Sequence, residues 1–153
     1  MEKPQEGILQ SRLLLFVVMG CFGGLALWKL GAFRHDYDEG QYIALAQAIA
    51  AGEVPFRDFF YHQPAYFLYM LSWLPAPDAQ TIWLYRLPAW VGVWLTGMVL
   101  YFIAREGLRL RLAILAPFLF YSSLLLGPGV QVVPHGLMIL GTALGFYLVF
   151  VRG

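Results

Sequence analysis

Residues 36–64 read D-Y-D-E-G-Q-Y-I-A-L-A-Q-A-I-A-A-G-E-V-P-F-R-D-F-F-Y-H-Q-P and lie between two hydrophobic stretches. The segment gathers Asp36, Asp38, Glu39, Glu53, Arg57, Asp58 and His62. A carboxylate or an imidazole in reach of a reacting oxygen can take its proton. A guanidinium can hold an anionic leaving group. A connection that only joins two helices can be short, so a polar loop of this length points to chemistry. Each residue also has a plainer role. Asp38, with Gln41 three positions on, fits a capping box. Glu39 in a first helical turn suits the helix dipole. Asp58 has Arg57 beside it as a local partner, and His62 suits a capping or interfacial place. Asp36, Asp38 and a histidine are potential ligands for a divalent ion, but no fixed spacing supports one. No cofactor is expected.

The elements that position this loop are read from composition. Of 153 residues, 60% are hydrophobic and 12% charged, against about 45–50% and about 25% in soluble domains. The apolar residues fall in runs, and a helix that crosses a bilayer needs about 20 of them. The runs are Leu13–Phe33, Ile82–Ala104, Leu112–Leu126 and Pro134–Val151, with Pro88 and Pro117 expected to kink helices or mark first turns. The expected fold is an all-α integral membrane protein. It has about four transmembrane helices, plus short interfacial helices in a first outward loop, 34–81. Residues 1–153 form a single membrane domain. One cysteine excludes an internal disulfide. No basic stripe exists, so no nucleic-acid partner is expected.

Orientation follows from Lys and Arg near the runs. An inner face holds Lys3, Arg12, Arg105, Arg109, Arg111 and Arg152; an outer face holds Lys29, Arg34, Arg57 and Arg86, with six of the nine acids. The N-terminus is therefore placed in the cytoplasm, in a plasma (inner) membrane. The 36–64 loop faces the periplasm or exterior, away from cytosolic nucleotides. Inside the loop, Gly40 to Ala51 carries Ile43, Ala46, Ile49 and Ala50 at helical spacing, and Gly52 is a stop. Residues 65–74 predict a second, interfacial helix ended by Pro75 and Pro77.

At these residues the chain resembles the N-terminal part of GT-C-type glycosyltransferases, the superfamily of protein O-mannosyltransferases and lipid A aminoarabinose transferases. The likeness rests on four pieces in order. They are Asp38-Glu39-Gly40-Gln41-Tyr42, then Gly52-Glu53-Val54-Pro55-Phe56-Arg57-Asp58, then His62-Gln63-Pro64, then Arg86-Leu87-Pro88. The resemblance implies transfer of a sugar from a polyprenyl-phosphate donor to a lipid, glycan or protein acceptor on the outer face. Asp38 then acts as general base or orients the acceptor, with Glu39 beside it. Tyr42, Arg57, Asp58, His62, Gln63 and Arg86 line the substrate, and Arg86 meets the phosphate. The plainer roles of Arg86 are snorkelling to the interface and pairing with a loop acid. The chain departs from the family in two places. The family's second acid is absent from the 127–136 loop, which offers Gln131 and His135 instead. The resemblance also covers only about the first third of a family enzyme, so these residues are expected to be a fragment.

Two other readings compete. A non-catalytic membrane subunit or scaffold would use Gly20, Gly23, Gly24, Gly136, Gly141 and Gly145 for close helix packing. A transporter would want charged or broken helices at mid-membrane, and the runs lack buried charge.

Overall fold

The computed structural model describes residues 4–32, 37–78, 81–126 and 135–152. Among the described residues every regular element is helical. They are α1 (Pro4–Ala32), α2 (Tyr37–Ala50), α3 (Tyr66–Leu71), α4 (Ile82–Gly107), α5 (Leu110–Ala113), α6 (Leu115–Leu126) and α7 (His135–Phe146). One π-helical turn, Tyr147–Val151, continues α7.

The sequence pattern predicts about four membrane spans, and the structure corrects this. Among the described residues, only α4, at 26 residues, is both long and apolar enough to cross a membrane. Within α1, the described apolar segment Arg12–Leu25 falls short of that length. The third run is cut in two at Ile114. Pro117 lacks an N–H, and its ring clashes with a carbonyl four residues back, that of Ala113, where α5 ends. The 12 residues of α6 rise only about 18 Å, against a hydrocarbon core of about 30 Å. The fourth run, His135–Val151, is likewise a shorter apolar helix. Pro88 lies inside α4 without ending it.

The mast of the fold is α4, against which α1, α6 and α7 pack. Glycine sets the closest approach. A Cβ on Gly92 would meet the Gly136 carbonyl oxygen at 2.5 Å, and one on Gly136 would run into the Ala89 carbonyl. Gly97 faces the Tyr121 ring in the same way. Of the six glycines expected to pack, Gly23 and Gly136 meet a neighbour. Gly20, Gly24, Gly141 and Gly145 face open space. Between α1, α4 and α6, Met19, Phe22, Val93 and Tyr121 form one buried cluster. The Phe22 and Tyr121 rings stack at 3.9 Å. Trp94 donates its indole N–H to the Met19 carbonyl at 3.2 Å, and Tyr121 its hydroxyl to the Trp94 carbonyl at 2.6 Å. The Trp90 indole nitrogen is buried without a hydrogen-bond partner, an omission that costs about 1–3 kcal/mol.

Gly92→Ala is expected to push α4 and α7 apart and destabilise the chain by about 1–3 kcal/mol. Gly141→Ala, at an open position, stays within about 0.5 kcal/mol. Thermal unfolding in detergent compares the two, and equal effects would contradict the close α4–α7 contact.

Candidate functional site

The head of α4 and one face of α2 meet in one buried cluster with α3. Tyr42, Ala46, Tyr61, Phe67, Leu68, Leu71 and Tyr85 form its core. On α2 the buried face is Glu39, Tyr42 and Ala46, the i, i+3, i+7 stripe of an amphipathic helix. Successive side chains diverge around a helix, so Glu39 turns inward while its neighbour Asp38 is exposed. The helix begins at Tyr37. Asp38 is therefore a first-turn residue and not the N-cap that the capping-box pattern predicts, although its charge still suits the N-terminal dipole. Gly52, at φ +99°, reverses the chain just past the end of α2 as expected. The helix predicted over 65–74 shortens to the six residues of α3.

Arg86 reaches Glu39 across 47 residues of sequence. Its Nε donates to Oε1 and its Nη2 to Oε2, each at 2.7 Å. The side chains are 1% and 0% exposed. This is a bidentate, charge-assisted pair shut away from solvent. Tyr85, the preceding residue, accepts a hydrogen bond from Gln47 Nε2 at 2.7 Å and donates its hydroxyl to the Pro75 carbonyl at 2.8 Å. At the start of α4, the Thr81 N–H donates to Asp78 Oδ1 at 2.7 Å, and the Asp78 N–H donates to Thr81 Oγ1 at 2.9 Å. That reciprocal pair anchors the turn from which Tyr85 and Arg86 project.

Above the buried pair, a run of polar groups leads from Asp38 to His62. The Tyr42 ring meets Tyr61 and Phe67 edge-on, at 6.2 and 5.8 Å. Burial pushes the Tyr42 phenol above its usual value; a hydrogen bond with Gln63 opposes this, and the Asp38 charge adds to it. Burial also pushes Tyr61 up to about 12. Tyr61 donates to Gln63 Oε1 at 3.4 Å, and Gln63 Nε2 lies 3.3 Å from His62 Nε2. The sequence-derived residues Asp38, Tyr42, His62 and Gln63 thus come together, with Tyr61 among them.

Arg57 and Asp58 form a separate knot. The guanidinium donates to both carboxylate oxygens, at 2.9 and 2.6 Å, and the Val54 N–H donates to Asp58 Oδ2 at 2.7 Å. The Arg57 bond first and the Val54 bond second hold Asp58 down at about 2. Phe56, between them, sits at φ +66°, a conformation unusual for a bulky side chain. This knot is exposed and closes on itself, so the Gly52–Asp58 motif acts here as a compact turn.

Asp36 and Gln131 lie outside the described residues. His135 opens α7 and lines a cleft of about 670 Å³ with Thr96, Phe120 and Phe146. Thr96 is 10 residues beyond Arg86, about 15 Å along α4. Among the described residues no group of three or more His, Cys, Asp or Glu side chains comes together to hold a metal ion. No family model, curated protein or solved structure matches the chain. The glycosyltransferase resemblance therefore stands on the quoted residues alone. The sequence reading passed over Tyr85, Gln47 and Tyr61. A partial signal for Tyr85 was present, since a polar aromatic next to a charged residue at the head of an apolar helix needs a partner for its hydroxyl.

Two outcomes are expected. Arg86→Leu strands the Glu39 carboxylate in the core and should cost about 3–5 kcal/mol, while the double change with Glu39→Leu should recover most of it. Denaturation of the single and double variants compares them; a double variant as weak as Arg86→Leu would show that the pair is not isolated. The second concerns acid. Asp58 is depressed in the fold, so its contribution is full above the ordinary carboxylate value and is lost as pH falls towards about 2. The Val54 amide resonance should titrate near that pH, and a transition near about 4, the unperturbed value, would contradict the knot.

Proposed function

We propose that this chain takes part in moving a sugar from a polyprenyl-phosphate donor to an acceptor at the outer face of the membrane, with Asp38 as the base. The observation that carries the reading is the division of labour in the first turn of α2. Glu39 is buried and neutralised by Arg86, while the adjacent Asp38 is exposed and its charge acts on Tyr42. Tyr42 leads on through Gln63 to His62. An acceptor hydroxyl must lose its proton as it attacks the anomeric carbon, and a carboxylate on a fixed helical turn can take it. Tyr42, Tyr61, His62 and Gln63 offer hydroxyl, amide and imidazole groups suited to holding a sugar or an acceptor. Arg86, which the resemblance assigns to the phosphate, has its fork on Glu39 in this fold.

The membrane placement in this reading follows α4. Arg86 and Arg105 are 19 positions apart, about 28 Å along the helix and close to the thickness of a bilayer core. Arg12 and Arg105 line one hollow at the far end, which favours a cytoplasmic N-terminus beside that end. Trp73 and Phe60, 90% and 83% exposed near the site, suit the outer interface, where aromatic rings prefer to lie.

A second reading is supported by how completely the loop's charges satisfy one another. Both Glu39–Arg86 and Asp58–Arg57 are closed pairs, as in a scaffold whose loop has only to hold its shape. Asp38→Asn separates the two readings. In membranes expressing the chain with a radiolabelled polyprenyl-phosphate-sugar pool, this change should cut transfer by about 10²–10⁴-fold with insertion unchanged. Equal transfer by both proteins would overturn the enzymatic reading and favour the scaffold.

A further inference from the structure

A helix held at one point can pivot, and a helix held at two cannot. The helix α2 is held at two. Glu39 is gripped by Arg86, and Gln47 by Tyr85. The two grips are eight positions apart on α2, about 12 Å along its axis, yet they come from consecutive residues of α4. Beside them Tyr42 hydrogen-bonds Gln63 of the loop, and the packing of Tyr42 and Ala46 with Phe67, Leu68 and Leu71 is apolar. Apolar contacts are non-directional and leave rotation and sliding inexpensive. Against α4, the azimuth of α2, and with it the direction in which Asp38 points, depends on the two polar grips. Tyr85 does more than hold Gln47. Its hydroxyl also donates to the Pro75 carbonyl, so one oxygen ties α2 to the segment that leads into α4.

We infer that Tyr85 is a positioning residue that, with Arg86, clamps α2 at two points and so sets the presentation of Asp38. The importance of that presentation rests on the proposed role of Asp38 as base; the clamp itself does not. Tyr85 touches no reacting atom and acts through Gln47.

The test reads the clamp without needing the donor. Wild type, Tyr85→Phe and Arg86→Lys are compared in detergent by amide hydrogen exchange. The rate at which Asp38 is labelled by a water-soluble carbodiimide with glycine ethyl ester is followed at one fixed pH. Tyr85→Phe keeps the ring and removes the hydroxyl, so the fold is retained while one grip is lost. Exchange of the α2 amides should rise about fivefold, the weight of one hydrogen bond, with α4 and α6 unchanged. The rate of Asp38 labelling at fixed pH should change, because the carboxylate is presented differently once α2 can turn. A uniform rise across all helices, or an unchanged α2 and an unchanged Asp38 labelling rate, would overturn the clamp. Should Arg86→Lys fail to insert, Tyr85→Phe alone decides. The functional reading fails separately, through full transfer by Asp38→Asn; a clamp that passes beside such a result is a device of structure only. Where transfer is measurable, Tyr85→Phe should lower kcat with KM held.

Discussion

The ion pair between Glu39 and Arg86 is the constraint around which α2, α3 and the head of α4 are arranged. Two ionised groups removed from water lose several kcal/mol of hydration each, and only close, doubly hydrogen-bonded geometry compensates. The fold meets that demand with a bidentate fork at 2.7 Å. The result adds little net stability compared with apolar residues of the same shape. It adds direction. A carboxylate that must face one guanidinium, with Gln47 held by Tyr85 further along, restricts the rotation of α2, and the neighbouring carboxylate, Asp38, is turned to solvent as a consequence. Burying one acid and presenting the next follows from the roughly 100° between successive helical side chains.

Much of this arrangement was legible in the sequence, and the legible parts share a cause. The loop helix, its stop at Gly52 and the long helix beginning at Ile82 are local features set by periodicity and backbone preference. The partnership of Arg86 with a loop acid was visible as one of its two plainer roles, but the identity of the acid was not, because the pairing spans 47 residues. Asp38 looked like a cap through its spacing to Gln41. The helix starts earlier, at Tyr37, and boundary residues are where pattern reading is weakest. The count of spans failed for a different reason. Hydrophobic runs record composition, whereas crossing a bilayer also needs an unbroken hydrogen-bonded helix; Pro117 breaks the third run, and among the described residues only α4 is long and apolar enough.

Glycine packing shows the same limit. Glycines spread along α1 and α7 suggested a small-residue seam, yet the tight crossing is made by Gly92 and Gly136. Gly92 was passed over because it lies among tryptophans in W-V-G-V-W. Which glycine permits backbone contact depends on where the partner helix crosses, and that is decided by the packing of whole faces.

The two functional readings divide over how charge is used. A scaffold satisfies its polar groups internally, as Arg57, Asp58 and Val54 do in a knot that faces outward and closes on itself. A catalytic site keeps one group uncommitted and spends other contacts on aiming it. The head of α4 does the second. Arg86 and Tyr85 commit Glu39 and Gln47 fully, and both commitments fall on the helix whose first turn carries Asp38. In a loop built only to hold its shape, an exposed Asp38 serves the N-terminal dipole of α2. The proposed enzymatic reading puts the same placement to a second use, because a carboxylate turned to solvent on a fixed helical turn can also meet a partner that arrives from solvent.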